Sequence, residues 1–100
     1  MSRSFEYQFE WDPGKAHQNV RKHEIAFERA VSIFQDPKAL SLFDAAHSDQ
    51  EERWITLGLD QTGALLVVSH TFQGTGKMSA RIRIISARKA ARHEMSQYGR

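Results

Sequence analysis

Arg81 and Arg83 stand two residues apart in an alternating run, MSARIRII. On an extended strand that spacing sends both guanidiniums to one face, about 7 Å apart along the chain. Two cations in that register suit the oxygens of a phosphodiester. Arg53 opens another candidate strand, RWITLGL, and joins the same cationic floor if it projects to the same side of the sheet. Arg88, Lys89 and Arg92 follow in SARKAARHEMSQY, which reads as a helix continuing directly from the arginine strand. Lys77, Arg81, Arg83, Arg88, Lys89, Arg92 and Arg100 thus face one carboxylate, Glu94, while the chain before them has the opposite bias and the whole carries only +2. Such asymmetry points to contact with nucleic acid or a membrane surface. A charge placed merely to blunt a strand edge would not be matched by cations on the next element.

A second candidate is the pair Lys22 and His23 at the end of the first predicted helix. Imidazole is the side chain suited to proton transfer near neutral pH, and a lysine beside it can stabilise developing negative charge. The same residues also suit a helix C-terminus for purely structural reasons, because cations complement its dipole.

Other chemistries are poorly supplied. The absence of cysteine excludes disulfides, thiolate metal sites and a cysteine nucleophile. His17, His23, His47, His70 and His93 are scattered without metal-ligand spacing, so no metal is expected. Gly74 and Gly76 in FQGTGKM fit a hairpin connection better than a phosphate-binding loop, which disfavours nucleotide hydrolysis. No cofactor is called for. No apolar run approaches the roughly 20 residues that span a bilayer, and MSRSFEYQ lacks the features of a secretory signal, so a cytoplasmic protein without membrane attachment is expected.

The elements that must hold these residues follow from periodicity. In FEYQFEW, Phe5, Tyr7, Phe9 and Trp11 alternate with Glu6, Gln8 and Glu10, as in a half-buried strand. Asp12 then caps a helix with Pro13 at its first position, running to about His23, with a thin apolar side of Ala16 and Val20. Phe27, Ala30, Val31 and Phe34 form the stripe of a second helix that stops at Asp36–Pro37. A short strand over 39–44, an acidic loop AHSDQEE, and a hairpin of strands 53–59 and 64–72 about DQTG come next. The arginine strand follows, and Ser86 caps a final helix with Ala87, Ala90, Ala91 and Glu94 on one side. Trp11 is assigned to the core, and the face of Trp54 is left open. The order βααββββα over 100 residues predicts one α+β domain, a mainly antiparallel sheet with helices packed on one face.

The motifs also carry a resemblance. FEWDPGKAHQNVRKHEIAFERAVSIF is similar to the EWDxxKxxxNxxKHGVxFEEA opening of the BrnT toxins, and DPKAL, EERWITLG, LLVVSHT and RIRIISARKAARHEMSQY follow in that family's order, covering about residues 8 to 98. The resemblance implies a RelE-like fold and a small cytoplasmic ribonuclease that inhibits translation by cutting RNA and is neutralised by a BrnA-type antitoxin, with DNA met only through the antitoxin complex. It also implies that Lys22, His23, Arg53, Arg81, Arg83 and Arg88 occupy positions where active-site and RNA-contacting residues are sought. One departure is visible: the family's KHG is Lys22, His23, Glu24 here, which removes the residue that most easily enters a left-handed turn.

On that reading Arg53, Arg81 and Arg83 hold the scissile phosphate, His23 or a nearby carboxylate moves protons, and Arg88, Lys89 and Arg92 hold flanking backbone. The alternative is a non-catalytic basic module that receives an acidic antitoxin or joins it on DNA in a repressor complex.

Overall fold

In the computed structural model, which describes residues 5–99, β1 (Glu6–Trp11) leads into α1 (Pro13–His23) and then α2 (Phe27–Ser32), extended by a 3-10 turn over Ile33–Gln35. The rest is β2 (Leu40–Phe43), a 3-10 turn (Ala45–His47), β3 (Arg53–Leu59), β4 (Leu65–Thr71), β5 (Gln73–Gly76), β6 (Ser79–Lys89) and a one-turn helix α3 (Arg92–Met95). Residues 1–4 and Arg100, the last of the basic residues named above, lie outside the described residues.

Local chemistry explains the first half. The Asp12 carboxylate accepts from the Lys15 N–H at 2.9 Å, and Pro13 fills the first helical position. At the other end Glu24 stands at φ 59°, ψ 30°, its N–H donating to the Val20 carbonyl, so a glutamate occupies the left-handed cap that glycine would fill without strain. The buried side of α1 differs from the expected one: Val20 is exposed and Asn19 is buried.

The sheet order is β1-β6-β4-β3-β2, with β5 also paired to β6. Among the described residues only β1 and β6 run parallel; the other pairs are antiparallel. The expected α+β architecture is therefore present, with one short strand more, β5, where a bare connection was expected. Ile25, Phe27, Ala30 and Ile33, on α2 and its flanks, pack against Leu66, Val68, Ile82 and Ile84 on one sheet face, and Ala16 of α1 packs against the same cluster. Trp11 sits at its margin, edge-on to Phe27, in agreement with its core assignment. His70 is buried here too; burial pushes its imidazole below the ordinary value, and it contacts the Thr56 hydroxyl at 2.7 Å.

The end of the chain departs from expectation. No helix starts at Ser86: β6 continues to Lys89, so Ala87, Arg88 and Lys89 are strand residues paired with Val68, Val67 and Leu66, and only Arg92 of the expected helical cations lies on a helix. Ser69 pairs with Ser86 but His70 with Ile84, leaving Ile85 as a bulge. β1 has already stopped at the Trp11–Ile84 pair, and Asn19 takes its place at Ala87. Its Oδ1 accepts from the Ala87 N–H at 3.0 Å, and its Nδ2 donates to the carbonyls of Ala87 and Ile25 at 2.9 and 2.8 Å. A buried amide thereby serves as one residue of a missing strand.

Candidate nucleic-acid interface

The face opposite α1 and α2 has two unlike halves. At one end Leu57, Val67 and Ala90 form an apolar cluster against which Tyr98 packs. At the other end a polar row crosses the sheet. Arg53 is registered with Thr71 and Glu10 with Arg83, and the Arg83 N–H donates to the Thr71 hydroxyl at 3.1 Å, joining the two pairs. Arg81 lies in the adjoining row beside Gln8 and Gln73. The three arginines expected to share one face do so.

Their carboxylate partners come from elsewhere. Glu51 is ion-paired to Arg83 Nη2 and lies 3.6 Å from Arg53 Nη2, so one carboxylate serves two guanidiniums. The Arg83 hydrogen bond holds the Glu51 carboxyl below its ordinary value, against the opposing effect of desolvation. Glu10 stands 3.8 Å from Arg81 Nε. Arg53 Nε is buried and has no hydrogen-bond partner among the described residues. Arg81 and Arg83 line a cleft of about 390 Å³ with Glu10, Glu51, Glu52, Thr71 and Gln73. A neighbouring cleft of about 250 Å³ is lined by Arg53 and Glu51 together with His47 and Asp49. Glu51 lines both.

The remaining predicted residues are dispersed. Arg88 forms a two-pronged pair with Glu94, both contacts at 2.8 Å, and Glu94 also accepts from the Ala91 N–H at 2.7 Å. The Arg88 contact, ahead of the others, pulls the Glu94 carboxyl down to about 2. Arg88 thus fastens the C-terminal turn to β6. Lys89 and Arg92 are exposed. Lys22 and His23 close α1, line neither cleft and share no side-chain hydrogen bond or ion pair with the arginines among the described residues. Trp54 lies on the helix-bearing face, in T-shaped contact with Phe43 at 5.4 Å, and not among the arginines.

Sequence reasoning did not find Glu51, Glu10, Thr71 or His47. For Glu51 a signal existed: two glutamates immediately before the arginine that opens β3 put a counter-ion within one loop of it. Thr71 and Glu10 are chosen by strand register alone, which a single sequence does not display.

Clustered guanidiniums on the sheet face not covered by the helices are groups able to meet anions. Over residues 11–94 the chain matches the profile described as "Ribonuclease toxin, BrnT, of type II toxin-antitoxin system", and it belongs to that family. The 1.1 Å crystal structure of the Brucella abortus ribonuclease toxin BrnT has a similar fold, with a TM-score of 0.58 and 18% identity, covering 87% of this chain and 99% of that one. No curated protein matches. No helix among the described residues is long and apolar enough to cross a membrane.

Proposed function

We propose that this toxin cuts RNA without a metal ion, through attack of a 2′-hydroxyl on the adjacent phosphorus, and that it inhibits translation by doing so. The observation that carries the reading is the sharing of Glu51 between Arg53 and Arg83 beside Arg81. Three guanidiniums around a groove can bind a phosphodiester and stabilise the extra charge that builds on its oxygens during in-line displacement. Glu51 sits where it competes with that phosphate for the same donors, so substrate binding exchanges one anion for another. Lys89 and Arg92, both exposed, meet flanking backbone, and the toxin is neutralised by a BrnA-type antitoxin, through which alone the complex meets DNA.

The test is a defined RNA incubated with the full chain in EDTA and resolved on a denaturing gel, with the new ends identified. The expected products carry a 2′,3′-cyclic phosphate, and Arg83→Ala slows their formation about 100-fold, the usual cost of one transition-state donor. Cleavage that requires added divalent metal, or that proceeds equally well in Arg83→Ala, would overturn the reading.

A further inference from the structure

Cleavage through a 2′-hydroxyl needs a group to receive its proton, and near neutral pH an imidazole suits that task better than the carboxylates that line the arginine clefts. Glu51 is committed to Arg83 and Arg53. Glu10 faces Arg81. His23 lies outside both clefts. Of the histidines, His47 is the one that lines a cleft with Arg53 and Glu51.

The placement of His47 is built into the fold. Its 3-10 turn is tied at both ends to the backbone of Arg53: the Asp44 N–H donates to the Arg53 carbonyl at 2.8 Å, and the Arg53 N–H donates to the Ser48 hydroxyl at 3.0 Å. The Ser48 hydroxyl in turn donates to the Asp44 carbonyl at 2.6 Å, closing the loop. Asp44 Oδ2 and Oδ1 lie 2.9 and 3.1 Å from His47 Nδ1. The Asp44 side chain is only 15% exposed, whereas that of His47 is 66% exposed. A shielded carboxylate therefore fixes one ring nitrogen and leaves the other without a hydrogen-bond partner among the described residues.

We propose that His47, oriented by Asp44, is the proton acceptor of the RNA cleavage reaction, a proposal that rests on the function given above. With Nδ1–H donated to Asp44, Nε2 carries a free lone pair. The 2′-hydroxyl gives its proton to Nε2 as the O2′–P bond forms; the P–O5′ bond breaks, and the leaving 5′-oxygen takes a proton from water. Asp44 stabilises the imidazolium so produced and acts as a positioning residue. The charged groups around the ring are Asp44, Asp49, Glu51 and Arg53. Arg53 is set to hold the phosphate beside the base that activates its neighbour.

Two measurements decide the assignment. In the first, the imidazole resonances of the full chain are followed while an oligonucleotide that is 2′-deoxy at the cleavage position, and hence uncleavable, is added. The His47 ring protons shift as it binds; their failure to move would overturn the proposal whether or not the protein cleaves RNA. In the second, cleavage is measured from pH 5 to 9. His47→Ala lowers the rate about 100-fold, flattens the acidic limb of the profile, leaves affinity for the uncleavable oligonucleotide within twofold, and is partly rescued by added imidazole. Asp44→Asn lowers the rate about tenfold and displaces the acidic limb. If Arg83→Ala loses activity while His47→Ala retains it within threefold, the assignment to His47 fails and the ribonuclease reading stands. If neither substitution affects cleavage, both fail.

Discussion

β6 carries arginines on either side of a bulge, and the two sets are in opposite electrostatic circumstances. Upstream, Arg81 and Arg83 join Arg53 around Glu51 and Glu10, with Glu52 and Asp49 also lining the clefts, and two of the closest approaches are as long as 3.6 and 3.8 Å. Downstream, Arg88 has one carboxylate to itself, met at both oxygens, and that carboxylate also caps the Ala91 N–H. Arginines that contribute equally to the net charge thus have unequal uses. A matched fork-to-fork pair has little left to offer a third group, whereas guanidiniums that share a counter-ion gain by meeting another anion. The upstream half is available for binding, and the downstream half holds the chain end in place.

The sharpest way to break this contrast is to remove two of the upstream cations. Arg53→Ala with Arg83→Ala is expected to slow RNA cleavage about 1,000-fold. The same double variant flattens the logarithmic salt dependence of RNA binding by about 1.4, or roughly 0.7 for each phosphate left without its arginine. A salt slope equal to that of the unmodified protein would show that these arginines do not meet the backbone.

Downstream effects should appear in stability. Asn19→Ala strands the N–H and carbonyl of Ala87 and the carbonyl of Ile25, and is expected to cost about 2 kcal/mol in denaturant unfolding. Glu94→Gln should cost about 1 kcal/mol while leaving cleavage within threefold. The sign of its pH dependence is fixed by the lowered carboxyl. Glu94 is drawn from an ordinary 4.5 to about 2 in the folded chain, so its stabilisation is complete above 4.5 and is lost as pH falls from there toward 2. A Glu94→Gln variant should therefore show a shallower loss of stability across that window, measured by thermal melts at several pH values. The smallest effect is expected at Glu24→Gly, which relieves a left-handed glutamate and should add about 1 kcal/mol. An unchanged or lowered melting temperature would mean that the extra freedom of glycine in the unfolded chain cancels the relief.

Much of this arrangement can be read from the residues. Period-two patterning marks β1, β3 and β4, Asp12–Pro13 marks the start of α1, and the two-residue spacing of Arg81 and Arg83 gives their common face. The end of β6 is not legible in the same way. Ile85 interrupts the alternation, and the alanine, arginine and lysine that follow have good helix propensity, so local signals favour a helix. Pairing with β4 and the Asn19 amide override them, and both join residues distant in sequence. The same limit applies to His47. AHSDQEE has the composition of a solvated loop, and only the hydrogen bonds from Asp44 and Ser48 to the backbone of Arg53 bring it to the cationic cleft.

The bulge at Ile85 also makes the surface depend on whether a count is odd or even. Arg83 and Arg88 are five positions apart in the sequence and would look to opposite sides of a regular strand; the additional residue restores them to one side. Loss of the Ile85 codon would leave Arg83 and Arg88 four positions apart, still on one side of a strand that no longer carries the bulge. A deletion here is thus absorbed by removal of the bulge, whereas an insertion needs a second irregularity to keep the arginines on one side of the sheet.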